Sequence, residues 1–222
     1  MEFMVSSIDL IEHGFSLACG NHEETHQRWR ALHHKLTKLR GTGVPYDAGD
    51  HDARIDCLLR EMEADQLQYI QSTGEQRGHP TSRTKLQIQL TRYWICSCYE
   101  MLRTTAEAID KDGIFYQNVN DLKLKFAAFR IPISKQEPHQ STAGTKILDY
   151  FPVDGKGVAT VEGEPFPVRA EYTAKSTYRV KALLDSETGS IGFVVYDGRT
   201  QELTNEPRAK LSELLLNLDE IM

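Results

Sequence analysis

The sequence predicts an α+β fold: an N-terminal antiparallel helical bundle followed by a small antiparallel β-sheet with a C-terminal helix. Three observations predict it. Apolar residues recur at spacings of three and four up to about residue 130. From about 149 to 203 short alternating runs separated by turn residues take over. After Asn205 the helical spacing returns. The expected organisation is a bundle over 1–135, a linker or wrapping arm over 136–150, and a sheet plus helix over 151–222.

The first helical stretch lies within 6–40 and ends at Gly41, a good helix terminator. Its apolar side is Ile8, Ile11, Phe15, Ala18, Trp29, Leu32, Leu36 and Leu39. Asn21 followed by Glu24 resembles a capping box, so the stretch is one long helix or two broken there. A second helix starts at Asp50 as N-cap and ends at Gly74, with Ile55, Leu59, Met62, Gln66 and Tyr69 on one side. A third runs from Thr81 or Ser82 to about 112, with Leu86, Leu90, Tyr93, Ser97 and Met101 on one side. Apolar residues cover most of its circumference, which predicts a central position. A fourth spans 118–130 with Leu122, Phe126 and Phe129 inward, and Pro132 is expected to stop it.

Strand signals over 157–161 and 166–173 are weaker than those that follow. Residues 178–184 and 190–196, joined by Ser186-Glu187-Thr188-Gly189, predict a hairpin. Asn205 is expected to cap the last helix, with Pro207 in its first turn and Leu211, Leu214, Leu215 and Leu218 buried.

Composition narrows the classes. The chain has 222 residues, 40% of them apolar, with 15 Gly and 8 Pro, enough for a core and too ordered in composition for a disordered chain. Its 26 Lys+Arg against 32 Asp+Glu give a net charge of −6, which argues against a dedicated duplex-DNA binder. The N-terminal stretch lacks a basic segment ahead of an apolar core, and no apolar run reaches membrane-spanning length, so neither a secretory signal nor a membrane helix is expected. Four scattered cysteines, Cys19, Cys57, Cys96 and Cys98, suit reduced thiols of a cytoplasmic protein.

Two motifs could carry chemistry. His22-Glu23-Glu24-Thr25-His26 fits H-E-x-x-H; on one helix both imidazoles could meet a Zn²⁺, with Glu23 activating water and Glu61 or His33 as third ligand. It resembles the zinc metallopeptidases, implying a metal-dependent hydrolase, though Glu24 and Arg28 bring charge where that family is apolar. His22, His26 and His33 also share one side with Trp29 and Leu36, as histidines of a metal-binding bundle or of a core would. Arg28 and His33 resemble the R-x4-6-H motif of HEPN domains, helical proteins that include RNases of toxin and defence systems. That implies metal-independent RNA cleavage at a dimer cleft, with Trp29 standing where the family places a polar residue.

Charge is grouped. Residues 27–40 carry five bases and no acid, 76–99 carry four bases and no acid, and 47–65 carry seven acids and two Arg. A basic face able to hold RNA follows if the first two stretches are adjacent. No P-loop, dinucleotide fingerprint, nucleophile elbow or C-x-x-C occurs. The leading expectation is a cytoplasmic binding or regulatory protein without a cofactor, ahead of the HEPN-like RNase and the zinc hydrolase. An uncovered Trp29-Leu32-Leu36 side would make it a homodimer with a protein or RNA partner.

Overall fold

The structure, a computed structural model, describes residues 6–41, 48–74, 82–135, 146–150, 160–161, 164–165, 168–172, 180–197 and 202–218. In chain order it contains α1 (Ser7–Asn21), α2 (Glu23–Leu39), α3 (Ala48–Thr73), α4 (Ser82–Ala108), α5 (Ile114–Lys135), β1 (Lys146–Tyr150), β2 (Thr160–Val161), β3 (Glu164–Pro165), β4 (Val168–Tyr172), β5 (Lys181–Leu184), β6 (Ile191–Asp197), β7 (Glu202–Pro207) and α6 (Arg208–Leu216). The α+β class is as expected. No helix among the described residues is long and apolar enough to cross a membrane.

The first stretch is two helices. Ser6 caps α1 through a box with Asp9. His22 alone separates α1 from α2, with φ −120° and ψ 42° outside the helical region. The Asn21–Glu24 capping box does not form. The Asn21 amide donates instead to Glu61 on α3 at 3.0 Å, and no side chain caps α2. Gly41, at φ +66°, follows the end of α2 as expected.

α1 lies along α3 through the Glu12–Arg54 ion pair, the Arg54 guanidinium 4.8 Å over the Phe15 ring, and Ala18. Ile8 and Ile11, expected inside, are more than half exposed, because this one neighbour covers one narrow side of the helix. Leu39 is exposed too. Trp29, Leu32 and Leu36 of α2 are fully buried within their own chain.

α3 begins two residues before Asp50, whose carboxylate sits in the first turn, where it favours the helix dipole. α4 is central, packing on α2, α3, α5 and β6. Its apolar coat is not buried all round. Leu86 and Tyr93 are exposed, and the buried row is Gln87, Thr91, Trp94, Ile95, Cys98, Met101 and Leu102. Trp94 anchors that row: it meets Trp29 edge-on at 6.1 Å and Phe126 at 5.8 Å. α5 carries Leu122, Phe126 and Phe129 inward as expected, but Pro132 does not stop it. The proline falls in the last turn with its ring buried, so apolar packing offsets one lost backbone hydrogen bond.

β5, β6 and β7 form a three-stranded antiparallel sheet in sequence order, with Lys181 opposite Val194 and Val194 opposite Asn205. Asn205 is therefore a strand residue. Pairing of 202–207 with β6 extends the ladder to Pro207, which becomes the N-cap of α6. Leu211, Leu215 and Leu218 are buried as expected; Leu214 is exposed and Leu216 takes its place. β1 pairs with β4, from Lys146 opposite Tyr172 to Tyr150 opposite Val168, and β2 with β3. Residues 136–145, 151–159 and 178–179, to which the linker and strand readings also extended, lie outside the described residues.

One apolar cluster runs from Trp29 and Leu59 through Trp94 and Phe126 to Phe193 and Leu211, so the three-stranded sheet and α6 share a core with the helices. The β5–β6 turn is pressed onto α3. Gly189 has φ +70°, and a Cβ there would lie 2.1 Å from the Glu63 carbonyl oxygen.

Candidate functional site

The break at His22 dismantles the H-E-x-x-H geometry. One shared helical face needs both histidines inside one helix, and His22 is outside. Its Nε2 lies 3.1 Å from Glu61 Oε1, at ion-pair distance though without hydrogen-bond alignment, while His26 Nε2 lies 3.4 Å from Asp50 Oδ1. Asp50 and Glu61 are eleven residues apart, about 16 Å along a helix axis, so the two rings splay. Glu23 is exposed in the first turn of α2. Among the described residues no three His, Cys, Asp or Glu side chains gather where they could hold a metal.

Arg28 and His33 also diverge. Five residues turn a helix through about 140°. Arg28 reaches α6, with Nη2 donating to Asn217 at 2.9 Å and Nη1 to Glu213 at 3.3 Å. His33 turns into the core and stacks on Trp29 at 5.6 Å. Burial, helped by the nearby Arg40 charge, lowers its pKa to about 4. It is neutral near pH 7, and neither ring nitrogen meets a hydrogen-bonding atom among the described residues. The bases grouped in the sequence are similarly dispersed: Arg28 to α6, Arg83 to Asp65 on α3, and Arg92 over the Phe193 ring of β6.

The cysteines give no activated nucleophile. Cys19 and Cys57 hydrogen-bond across α1 and α3, and burial, reinforced by Cys19 and Asp56, pushes Cys57 up to about 12. Burial also raises Cys96 and Cys98.

The strongest electrostatic feature joins α3 to α6. Arg208 is fully buried; its Nε donates to Glu63 Oε1 at 2.8 Å, Nη2 to Glu63 Oε2 and Nη1 to Asp56 Oδ1. Its guanidinium carbon also lies 5.5 Å from the Trp94 ring. Ser190 donates to Glu63 at 2.7 Å and accepts the Ala209 N–H at 3.0 Å. Arg60 spans Asp56 at 2.9 Å, Ser212 at 3.1 Å and Glu213 at 2.6 Å. Burial alone would neutralise these groups. The Glu63 and Asp56 carboxylates outweigh it for Arg208, whose pKa is raised, and Arg208 and Arg60 outweigh it for Asp56, whose pKa is lowered. The sequence carries a signal for this seam. Arg208 shares the buried row of Leu211 and Leu215, and Asp56 and Glu63 share that of Leu59 and Gln66, so charge stands at core spacing.

Asp52, one turn before Asp56, is also buried. Burial raises its pKa to about 6, against a hydrogen bond from Ser97.

None of these buried groups lines either of the two recesses formed by the described residues. The α3–α4 groove, about 270 Å³, is lined by Leu58, Met62, Leu86, Gln66 and Gln87, with the partly exposed Glu61, Asp65 and Arg83. A wider recess of about 500 Å³ lies beside the β5–β6 turn and β7. No family model, curated protein or solved structure matches the chain.

Proposed function

We propose that this chain is a cytoplasmic binding or regulatory protein that acts through an apolar surface, without catalytic chemistry of its own. One observation carries the reading: Arg28 and His33, the pair proposed for RNA cleavage, leave α2 on different sides, one bound to α6 and one stacked in the core. A metal-independent nuclease needs both at one phosphate. Four free cysteines support the cytoplasmic compartment. Burial of Trp29, Leu32 and Leu36 removes the apolar face on which a homodimer through α2 was expected. A protein partner suits the α3–α4 groove better than RNA does, since Arg83 there is already paired with Asp65 and Glu61 adds a further negative charge.

Incubation of the chain with single-stranded RNA in EDTA tests the reading. No cleavage above that of Arg28→Ala and His33→Ala variants is expected. Cleavage by the parent chain that both folded variants lose would overturn it.

A further inference from the structure

α1 displays an unusual amount of apolar surface. Leu10 is 61% and Leu17 54% exposed, and between them Gly14 contributes no side chain and has open space above it. Residues 10, 14, 17 and 21 fall on one side of a helix. The last of them, Asn21, hydrogen-bonds Glu61, which lines the α3–α4 groove. The Leu10–Gly14–Leu17 strip therefore runs toward the groove, whose Leu86 is itself 53% exposed. Scattered exposed leucines are ordinary; a row of them that leads to an apolar groove is not.

We infer that this strip and groove form a docking site for an amphipathic helix of a partner protein, with apolar residues at i, i+3 or i+4 and i+7 flanked by Lys or Arg. The inference rests on the binding-protein reading above. Shape argues for a helix: α1 has 15 residues, about 22 Å, and the missing side chain at Gly14 lets a second helix approach closely. Charge argues for basic flanks. α1 carries Asp9 and Glu12 and no Lys or Arg, and the groove adds Glu61 and Asp65. Arg83 is paired with Asp65 and Arg54 with Glu12, which leaves Asp9 and Glu61 without a Lys or Arg partner among the described residues. In a two-fold pair of copies with antiparallel α1 helices, the Asp9 end of one strip meets the Glu61 end of the other, acid against acid, so self-pairing is disfavoured.

Two synthetic 15-residue peptides with the same leucine pattern, one filled with Lys and one with Glu, test the site by fluorescence anisotropy on the full chain. The Lys peptide is expected to bind in the micromolar range, more weakly as salt rises, and the Glu peptide not to bind. Leu17→Asp with Leu86→Asp should weaken binding at least about tenfold, and Leu39→Asp, an exposed leucine away from the groove, should not. Unchanged circular dichroism melts establish that each variant folds. Failure of the Lys peptide to bind, equal binding to parent and double variant, or equal binding of both peptides overturns the site. So does a concentration-dependent dimer by light scattering that the double variant loses, which assigns the surface to a second copy. RNA cleavage, measured separately, would overturn the underlying reading, whereas peptide failure without cleavage overturns this site alone.

Discussion

The α3–α6 seam and α1 invert the usual distribution of residues in opposite ways. At the seam, Arg208 and Asp56 are wholly buried and Glu63 nearly so; along α1, Leu10 and Leu17 face outward beside the still more exposed Ile8. The buried charges satisfy one another. Arg208 directs all three of its donor nitrogens to carboxylates, and Ser190 fills a further position on Glu63. The exposed leucines have no such closure among the described residues. Charge moved inside is a finished structural joint, whereas apolar surface left outside calls for another molecule.

Breaking the seam should give the largest effect. Arg208→Ala strands the buried Glu63 carboxylate, leaves Asp56 with Arg60 as its one counter-ion, and should cost about 3–5 kcal/mol in urea unfolding. Glu63→Gln added to it should recover part of the loss. Full additivity of the two substitutions would mean the groups are not coupled.

Next in size is a pair of opposed pH effects on the two sides of the core. Asp52 has a folded pKa near 6 against an ordinary 3.8, so the folded chain holds the extra proton between those values and stability falls as pH rises through them. His33 has a folded pKa near 4 against 6.5, so the unfolded chain holds the extra proton and stability rises from about pH 4 to 6.5. Each is about 3 kcal/mol at 1.36 per pKa unit, and in the parent chain they largely cancel. Urea titrations from pH 4 to 7 should slope upward in Asp52→Asn and downward in His33→Gln. Parallel slopes in both variants would refute the assignment.

The smallest effect belongs to α1. Leu10→Ser should change folding stability by no more than about 0.5 kcal/mol. A larger loss in a thermal melt would place Leu10 in the chain's own core and erase the contrast with the seam.

Local pattern made much of the fold legible. Alternation and the Ser186–Gly189 turn located the β5–β6 hairpin, and the three- and four-residue spacing of Leu122, Phe126 and Phe129 located the inner side of α5. What escaped was decided by competition between distant groups. Asn21 had a local capping role available and took a partner forty residues away. Asn205 stood before a proline as a cap would, and the β6 ladder claimed it. Of the site candidates, His26, Arg28 and His33 lie in α2, while His22 is the break before it; that break and the pull of Glu213 on Arg28 separated them. The seam was visible only as charge at core spacing, since 145 residues separate Arg208 from Glu63.

That separation bears on how the chain is made. At roughly 5–20 residues per second, Glu63 is synthesised about 7–30 s before its counter-ion exists. During that interval the emerging α3 carries Asp56 and Glu63 on the face it must bury, and Arg60 alone cannot neutralise both. Full burial of that face before Arg208 emerges would leave a carboxylate without its counter-ion. The close approach of Gly189 to the Glu63 carbonyl then lets the β5–β6 turn seat against α3 as the joint closes.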